Sequence, residues 1–266
     1  MHLQTEPRTP SNPTPTSAST STQTATTTSN QPPKQKHLYF AYGSNLSPTQ
    51  MSTRCRKNPT SSTPLAIAFL PHWRWLICQA GYANVLPPPD LRTGKQNSQA
   101  ADKVPISSPG LNGVDGVYGI LYELDPADER VLDRFEGVDY DAPRGWKGGR
   151  GEEVVDISPR IRPREQGLGS YNKWFLGARV VKWLSGSESE GDVLRVQHQV
   201  RDDTDVDAGD NTEEEVDILV YVDENRIVVG PPKLEYIGRM NRAIKECAEL
   251  GVDEGWIGGG YEEVYS

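Results

Sequence analysis

The stretch Tyr39-Phe40-Ala41-Tyr42-Gly43-Ser44-Asn45-Leu46-Ser47-Pro48-Thr49-Gln50 decides how the rest of the chain is read. The apolar and aromatic run from Tyr39 to Tyr42 has the makeup of a buried strand, and Gly43 stops it. Ser47 to Gln50 reads as a helix start, with Ser47 at the N-cap, Pro48 at the first helical position and Gln50 placed to close a capping box. A strand, a turn of small residues and a helix N-terminus bring free backbone N–H groups and the positive end of a helix dipole to one spot. That is the layout of an anion site. It is also the layout of an ordinary strand-to-helix turn, and spacing alone does not separate the two. No Gly-Lys-Ser/Thr follows Gly43, so a nucleotide-phosphate loop is not indicated.

Before this stretch, residues 1–36 are Thr, Ser, Pro, Gln and Asn with almost nothing apolar. Such a segment cannot bury enough surface to offset the entropy of ordering it, which predicts a disordered tail and a folded domain over 37–266. Composition agrees with one core of moderate size. Of 266 residues only 35% are hydrophobic, while 25 Gly and 21 Pro place much of the length in loops. The net charge of −9 argues against nucleic acid or an anionic membrane as the main partner. Cys55, Cys78 and Cys247 form no framework, as expected of a reducing compartment, and four dispersed histidines (His2, His37, His72, His198) make no metal-ligand spacing. With no apolar run near the ~20 residues of a membrane span and no signal core at the start, a cytoplasmic location is expected.

Downstream, Pro64–Leu70, Trp73–Cys78, Val117–Leu124 and Val216–Val222 read as strands. Gly81–Leu86 reads as a Gly-Asn loop suited to the side of a pocket or to a plain turn. Asp125-Pro126 opens a short helix that Gly137 ends, with Val131, Leu132 and Phe135 expected on one apolar face. Glu136, four residues after Leu132, falls on that stripe. There the negative end of the helix dipole and an apolar neighbourhood both raise a carboxyl pKa, the direction a general base working near neutrality needs. A frayed helix end would instead leave Glu136 in water. From 141 to 214 the pattern degrades. Basic runs at 143–150 and 159–164 and acidic runs at 202–215 read as solvated loops, interrupted by strand-like Glu153–Ile157, Ala178–Leu184 and Val193–Val200. After Pro231-Pro232 comes the clearest helix, with Ile237, Met240, Ile244 and Cys247 at helical spacing, Tyr236 in its first turn and Gly251 at its end.

Three of these stretches, in order, resemble the γ-glutamylcyclotransferase family: Tyr39 to Leu46, Leu132-Asp133 with Glu136-Gly137-Val138, and Val220-Tyr221 ahead of the Pro-Pro helix. The resemblance covers residues 38–140 and 215–257. It implies an α+β fold, a small mixed β-barrel flanked by helices, with a long inserted loop region at about 141–214. It implies conversion of γ-glutamyl-amino acids to 5-oxoproline and a free amino acid, without cofactor or metal. Carried over residue by residue, Tyr39, Phe40, Ala41, Tyr42, Gly43 and Ser44 bind the glutamyl part, Glu136 is the proton acceptor, Tyr236 is a further substrate contact and Tyr221 is a wall of the pocket. The stretch after Val138 departs from the family, which puts the choice of leaving group in question. Alternatives are a related enzyme acting on γ-glutamylamines, glutathione or a glutathione conjugate, and a non-catalytic carboxylate-binding module. The expected partner is a small γ-glutamyl substrate, with no nucleic acid or membrane and a homodimer as the assembly to test.

Overall fold

The computed structural model describes residues 36–93, 96, 101, 103–104, 111–144, 157–184 and 214–257, all within the unit Gln35–Ser266. Five strands close a mixed barrel in the order β1-β5-β2-β6-β7: β1 His37–Ala41, β2 Ala66–Pro71, β5 Gly116–Leu124, β6 Asn172–Trp183 and β7 Glu215–Val222. Neighbours are antiparallel except β1 and β7, whose parallel pairing closes the ring with Leu38 opposite Ile218. A separate hairpin, β3 Arg74–Ile77 with β4 Ala83–Leu86, stands apart from the barrel sheet. The helices are α1 Pro48–Arg54, α2 Pro126–Phe135, α3 Leu234–Glu249 and the short α4 Glu254–Ile257. The α+β barrel read from the resemblance is the observed architecture.

Helix starts follow their local chemistry. Ser47 Oγ accepts from the Gln50 N–H at 3.0 Å, and Asp125 Oδ1 accepts from the Ala127 N–H at 2.8 Å, each with Pro at the first position. In α3 the buried stripe is Tyr236, Met240, Ala243 and Cys247, which sets Tyr236 on the inward face with the core residues.

Four expectations are corrected. The buried face of α2 is not Val131, Leu132 and Phe135 but Asp128, Glu129, Leu132 and Asp133, while Phe135 is 59% exposed. Carboxylates tolerate that burial because each is paired. Asp128 accepts from the Lys57 and Asn58 N–H groups, Glu129 pairs with His37 and Lys173, and Asp133 takes Lys173 and the hydroxyls of Tyr221 and Tyr140. Within the stretch read as an inserted loop region, β6 is a twelve-residue barrel strand paired to both β2 and β7, so this segment belongs to the core. Arg162, read as part of a solvated basic run, is 6% exposed and makes two bonds to Glu224, at 2.7 and 2.6 Å. Residues 83–86 are a strand rather than a loop. The tail to residue 35, the strand-like runs at 153–156 and 193–200, and the acidic run at 202–213 lie outside the described residues.

Candidate active site

The chain leaves β1 through a single 3-10 turn, Ser44–Leu46, before α1 begins. This turn, the C-terminus of α2 and the first turns of α3 enclose a cavity of about 330 Å³. Tyr39, Tyr42, Gly43, Ser44, Glu136, Tyr221 and Tyr236, all singled out from the sequence, line it. Phe40 and Ala41 do not. Strand alternation turns Phe40 to the opposite face of β1 from Tyr39, where its ring lies against Gly119, and Ala41 is fully buried. Sequence reasoning placed Asn45 in the turn only as a backbone donor and missed its side chain, along with Arg54, Ser170, Tyr171, Arg226 and Arg239, while Tyr82 and Ala83 come from the Gly-Asn stretch placed beside a pocket.

Glu136 is the C-cap of α2, and the backbone around it is fixed on both sides. Its N–H donates to the Leu132 carbonyl at 2.8 Å, Gly137 follows in the left-handed region at φ +64°, and the Val138 N–H returns to the Asp133 carbonyl at 2.8 Å. These bonds form a Schellman stop, which glycine allows. The Gly137 carbonyl in turn accepts from the Ser170 N–H at 2.9 Å. The side chain therefore does not fray into bulk water. It is 17% exposed, and that surface faces the cavity.

Glu136 Oε1 accepts from Arg54 Nη1 at 3.0 Å and from Asn45 Nδ2 at 3.4 Å. Burial pushes the Glu136 pKa above the ordinary carboxylate value. It outweighs the downward pull of the Arg54 guanidinium, the bond from Asn45 and the more distant Arg239. The cavity tyrosines Tyr39, Tyr42, Tyr171 and Tyr221 are raised well above their ordinary range, first by burial, and so remain neutral. Three spend their hydroxyls on the protein: Tyr42 on the Tyr221 carbonyl at 2.6 Å, Tyr171 on the Ala83 carbonyl at 2.7 Å and Tyr221 on Asp133 at 2.8 Å.

The N–H groups expected to bind an anion are partly claimed. The Ser44 N–H donates to Tyr236 Oη at 3.3 Å, and the start of α1 is covered by Glu246 from α3, which accepts from Ser47 Oγ at 2.6 Å and the Thr49 N–H at 3.1 Å. The positive charge at the cavity comes instead from guanidiniums. Arg54, Arg226 and Arg239 line the cavity against one carboxylate, Glu136. Arg239 lies over the Tyr236 ring at 5.0 Å and pairs with Glu235 at 3.0 Å. Arg226 pairs with Asp223 and donates to the Ser170 carbonyl at 2.7 Å. Gly43 is glycine for space: a Cβ there would stand 2.9 Å from Tyr236 Oη and 3.2 Å from the Ala83 Cβ.

Burial holds Cys55 and Cys247 as thiols, each pushed up to about 12. Among the described residues no group of three or more His, Cys, Asp or Glu is placed to hold a metal ion, and no helix is long and apolar enough to cross a membrane.

No family model and no curated protein matches the sequence. The chain is similar to solved structures at low identity. One is a γ-glutamyl cyclotransferase, at 13% identity over 87% of this chain and 88% of that one, with a TM-score of 0.42. Another is a γ-glutamyl cyclotransferase specific to glutathione from yeast, at 11% identity over 86% and 98%, with a TM-score of 0.45. A third is YkqA from Bacillus subtilis, at 14% identity over 84% of this chain and 52% of that one, with a TM-score of 0.43. Likeness of this size carries no argument about activity, which rests on the cavity itself.

Proposed function

We propose that this protein is a γ-glutamylcyclotransferase, releasing 5-oxo-L-proline and a free amino acid from γ-L-glutamyl-amino acids. One observation carries the reading. A buried carboxyl of raised pKa, Glu136, faces a small cavity rich in arginine, and its Oε1 is held by Arg54 and Asn45 while Oε2 takes neither of those bonds.

The substrate carries its own nucleophile. Its α-amine attacks its own γ-carbonyl, the new C–N bond closes a five-membered ring, and the C–N bond to the departing amine breaks. An α-amine of pKa about 8 is mostly protonated at neutral pH, so a base must first take that proton. The α-nitrogen passes from ammonium to lactam N–H and so gives up two protons, and the departing nitrogen takes up two to leave as an ammonium. Glu136 relays them one after the other, so the proton count closes without water or a redox partner. Holding the glutamyl chain curled can supply effective molarities on the order of 10⁵–10⁸ M. Positioned proton transfer typically adds roughly 10²–10⁴-fold. Tyr39, Gly43, Ser44 and Tyr236 form the wall that curls the chain. Arg239 favours a leaving group that keeps a carboxylate over a bare amine.

A panel of γ-Glu-Ala, a γ-glutamylamine and glutathione, read out as 5-oxoproline, tests the reading. The expected result is fastest release from γ-Glu-Ala. Faster release from either of the other two would move the substrate assignment, and release from none would overturn the activity.

A further inference from the structure

Asn45 occupies the middle of the Ser44–Leu46 turn, is 4% exposed and lines the cavity. Its amide nitrogen reaches two site groups at once, Tyr39 Oη at 2.9 Å and Glu136 Oε1 at 3.4 Å. Its Oδ1 is buried with no partner among the described residues. A buried acceptor left unpaired costs stability, and a fold rarely keeps one without cause. An apolar side chain of the same shape would avoid that cost. What such a side chain could not do is donate two hydrogens in two directions.

We infer that Asn45 is a positioning residue whose amide group fixes Glu136 and Tyr39 as one array. With Arg54 and Asn45 both on Oε1, the Glu136 carboxylate cannot rotate freely, and Oε2 is kept for the ligand. Because Tyr39 Oη accepts from Asn45, its own O–H is directed elsewhere, and Tyr39 lines the cavity. The hydroxyl proton is then placed to meet charge developing on the ligand's carbonyl oxygen. The assignment of these two roles rests on the cyclotransferase reading. The hold of Asn45 on Glu136 does not.

The charged and titratable groups facing Glu136 are Arg54 from α1, Arg239 from α3, Tyr39 and Tyr42 from the end of β1, Tyr171 ahead of β6 and Tyr221 from β7. Asn45→Leu leaves all of them in place and removes only the two donors. Donation to a carboxylate favours its charged form, so the variant should hold the Glu136 proton to higher pH.

Titration of the glutamate side-chain carboxyls by ¹³C NMR on the full chain, with the Glu136 signal assigned by its loss in Glu136→Gln, reads this directly. The midpoint should rise in Asn45→Leu. The acid limb of the kcat profile should move up with it, and kcat at pH 7 should fall by about 10–100-fold, as for a displaced catalytic group, while KM changes little. If Asn45→Leu does not fold, Asn45→Asp keeps the shape, loses the donors and should raise the midpoint as well. An unmoved Glu136 midpoint would overturn the inference whatever happened to turnover. A raised midpoint in a protein that releases no 5-oxoproline would instead sink the cyclotransferase reading and leave the Asn45 contact standing.

Discussion

Ser47 Oγ lies 2.6 Å from Glu246 Oε2, so the helix start that follows the cavity-lining turn is closed by a carboxylate of the protein's own α3. The Thr49 N–H donates to the same oxygen at 3.1 Å. The positive end of α1 thus ties two helices together, and α3 is the helix that carries Tyr236 and Arg239.

Glu246→Gln should therefore destabilise the protein by about 1 kcal/mol at pH 7, the usual value of a helix-start contact. Partial burial works to raise the Glu246 pKa, but the Ser47 and Thr49 bonds hold it below the ordinary carboxylate value. A depressed carboxyl contributes stability above its unfolded pKa and loses it as pH falls through its folded one. The gap between Glu246→Gln and wild type in denaturant melts should close on acidification below the ordinary carboxylate range. A gap independent of pH would contradict the charged contact.

Arg54 supplies the opposite pull on Glu136. Removing the guanidinium in Arg54→Met leaves burial unopposed by its nearest cation, so Glu136 holds its proton to higher pH. Since a base works only when deprotonated, the acid limb of kcat/KM should shift upward. The rate at pH 6 should fall by about tenfold or more, within the range that positioned proton transfer contributes. An acid limb that stayed in place would mean that Glu136 is not the titrating group.

Gly43 tests the cavity's shape. The Cβ of Gly43→Ala would stand 2.9 Å from Tyr236 Oη, on the wall proposed to receive the glutamyl chain. KM for γ-Glu-Ala should rise by about tenfold or more, as for a misplaced contact, with a stability loss of about 1–3 kcal/mol from overpacking. Unchanged KM would place the ligand elsewhere in the cavity.

What was legible in the sequence was local. The caps at Ser47 and Asp125, the proline after each and the stop at Gly137 are short-range chemistry, and each stands in the structure. Glu136 was legible because a charge at an awkward helix position is itself a signal. Arg54 was not, because nothing in α1 announces a partner 82 residues away. Phe40 was placed with the site by its neighbours in the stretch, although strand alternation sends it to the other face of β1. The first half of β6 was hidden for a different reason: its inward face opens on a polar residue, Asn172, ahead of the fully buried Trp174. Asn172 is buried because its amide serves Glu224 and the Arg164 carbonyl, and Lys173 reaches Glu129 and Asp133, so polar residues hold positions where a strand usually shows apolar ones. The same compensation hid the acidic inner face of α2.

The central claim is that Glu136 moves the proton. Glu136→Gln keeps the side chain's shape and an oxygen for Arg54 and Asn45 while removing the base. Measured as 5-oxoproline released from γ-Glu-Ala by the purified protein, its turnover should fall by roughly 10²–10⁴-fold, with binding of the intact dipeptide retained. Release at the wild-type rate would contradict the account.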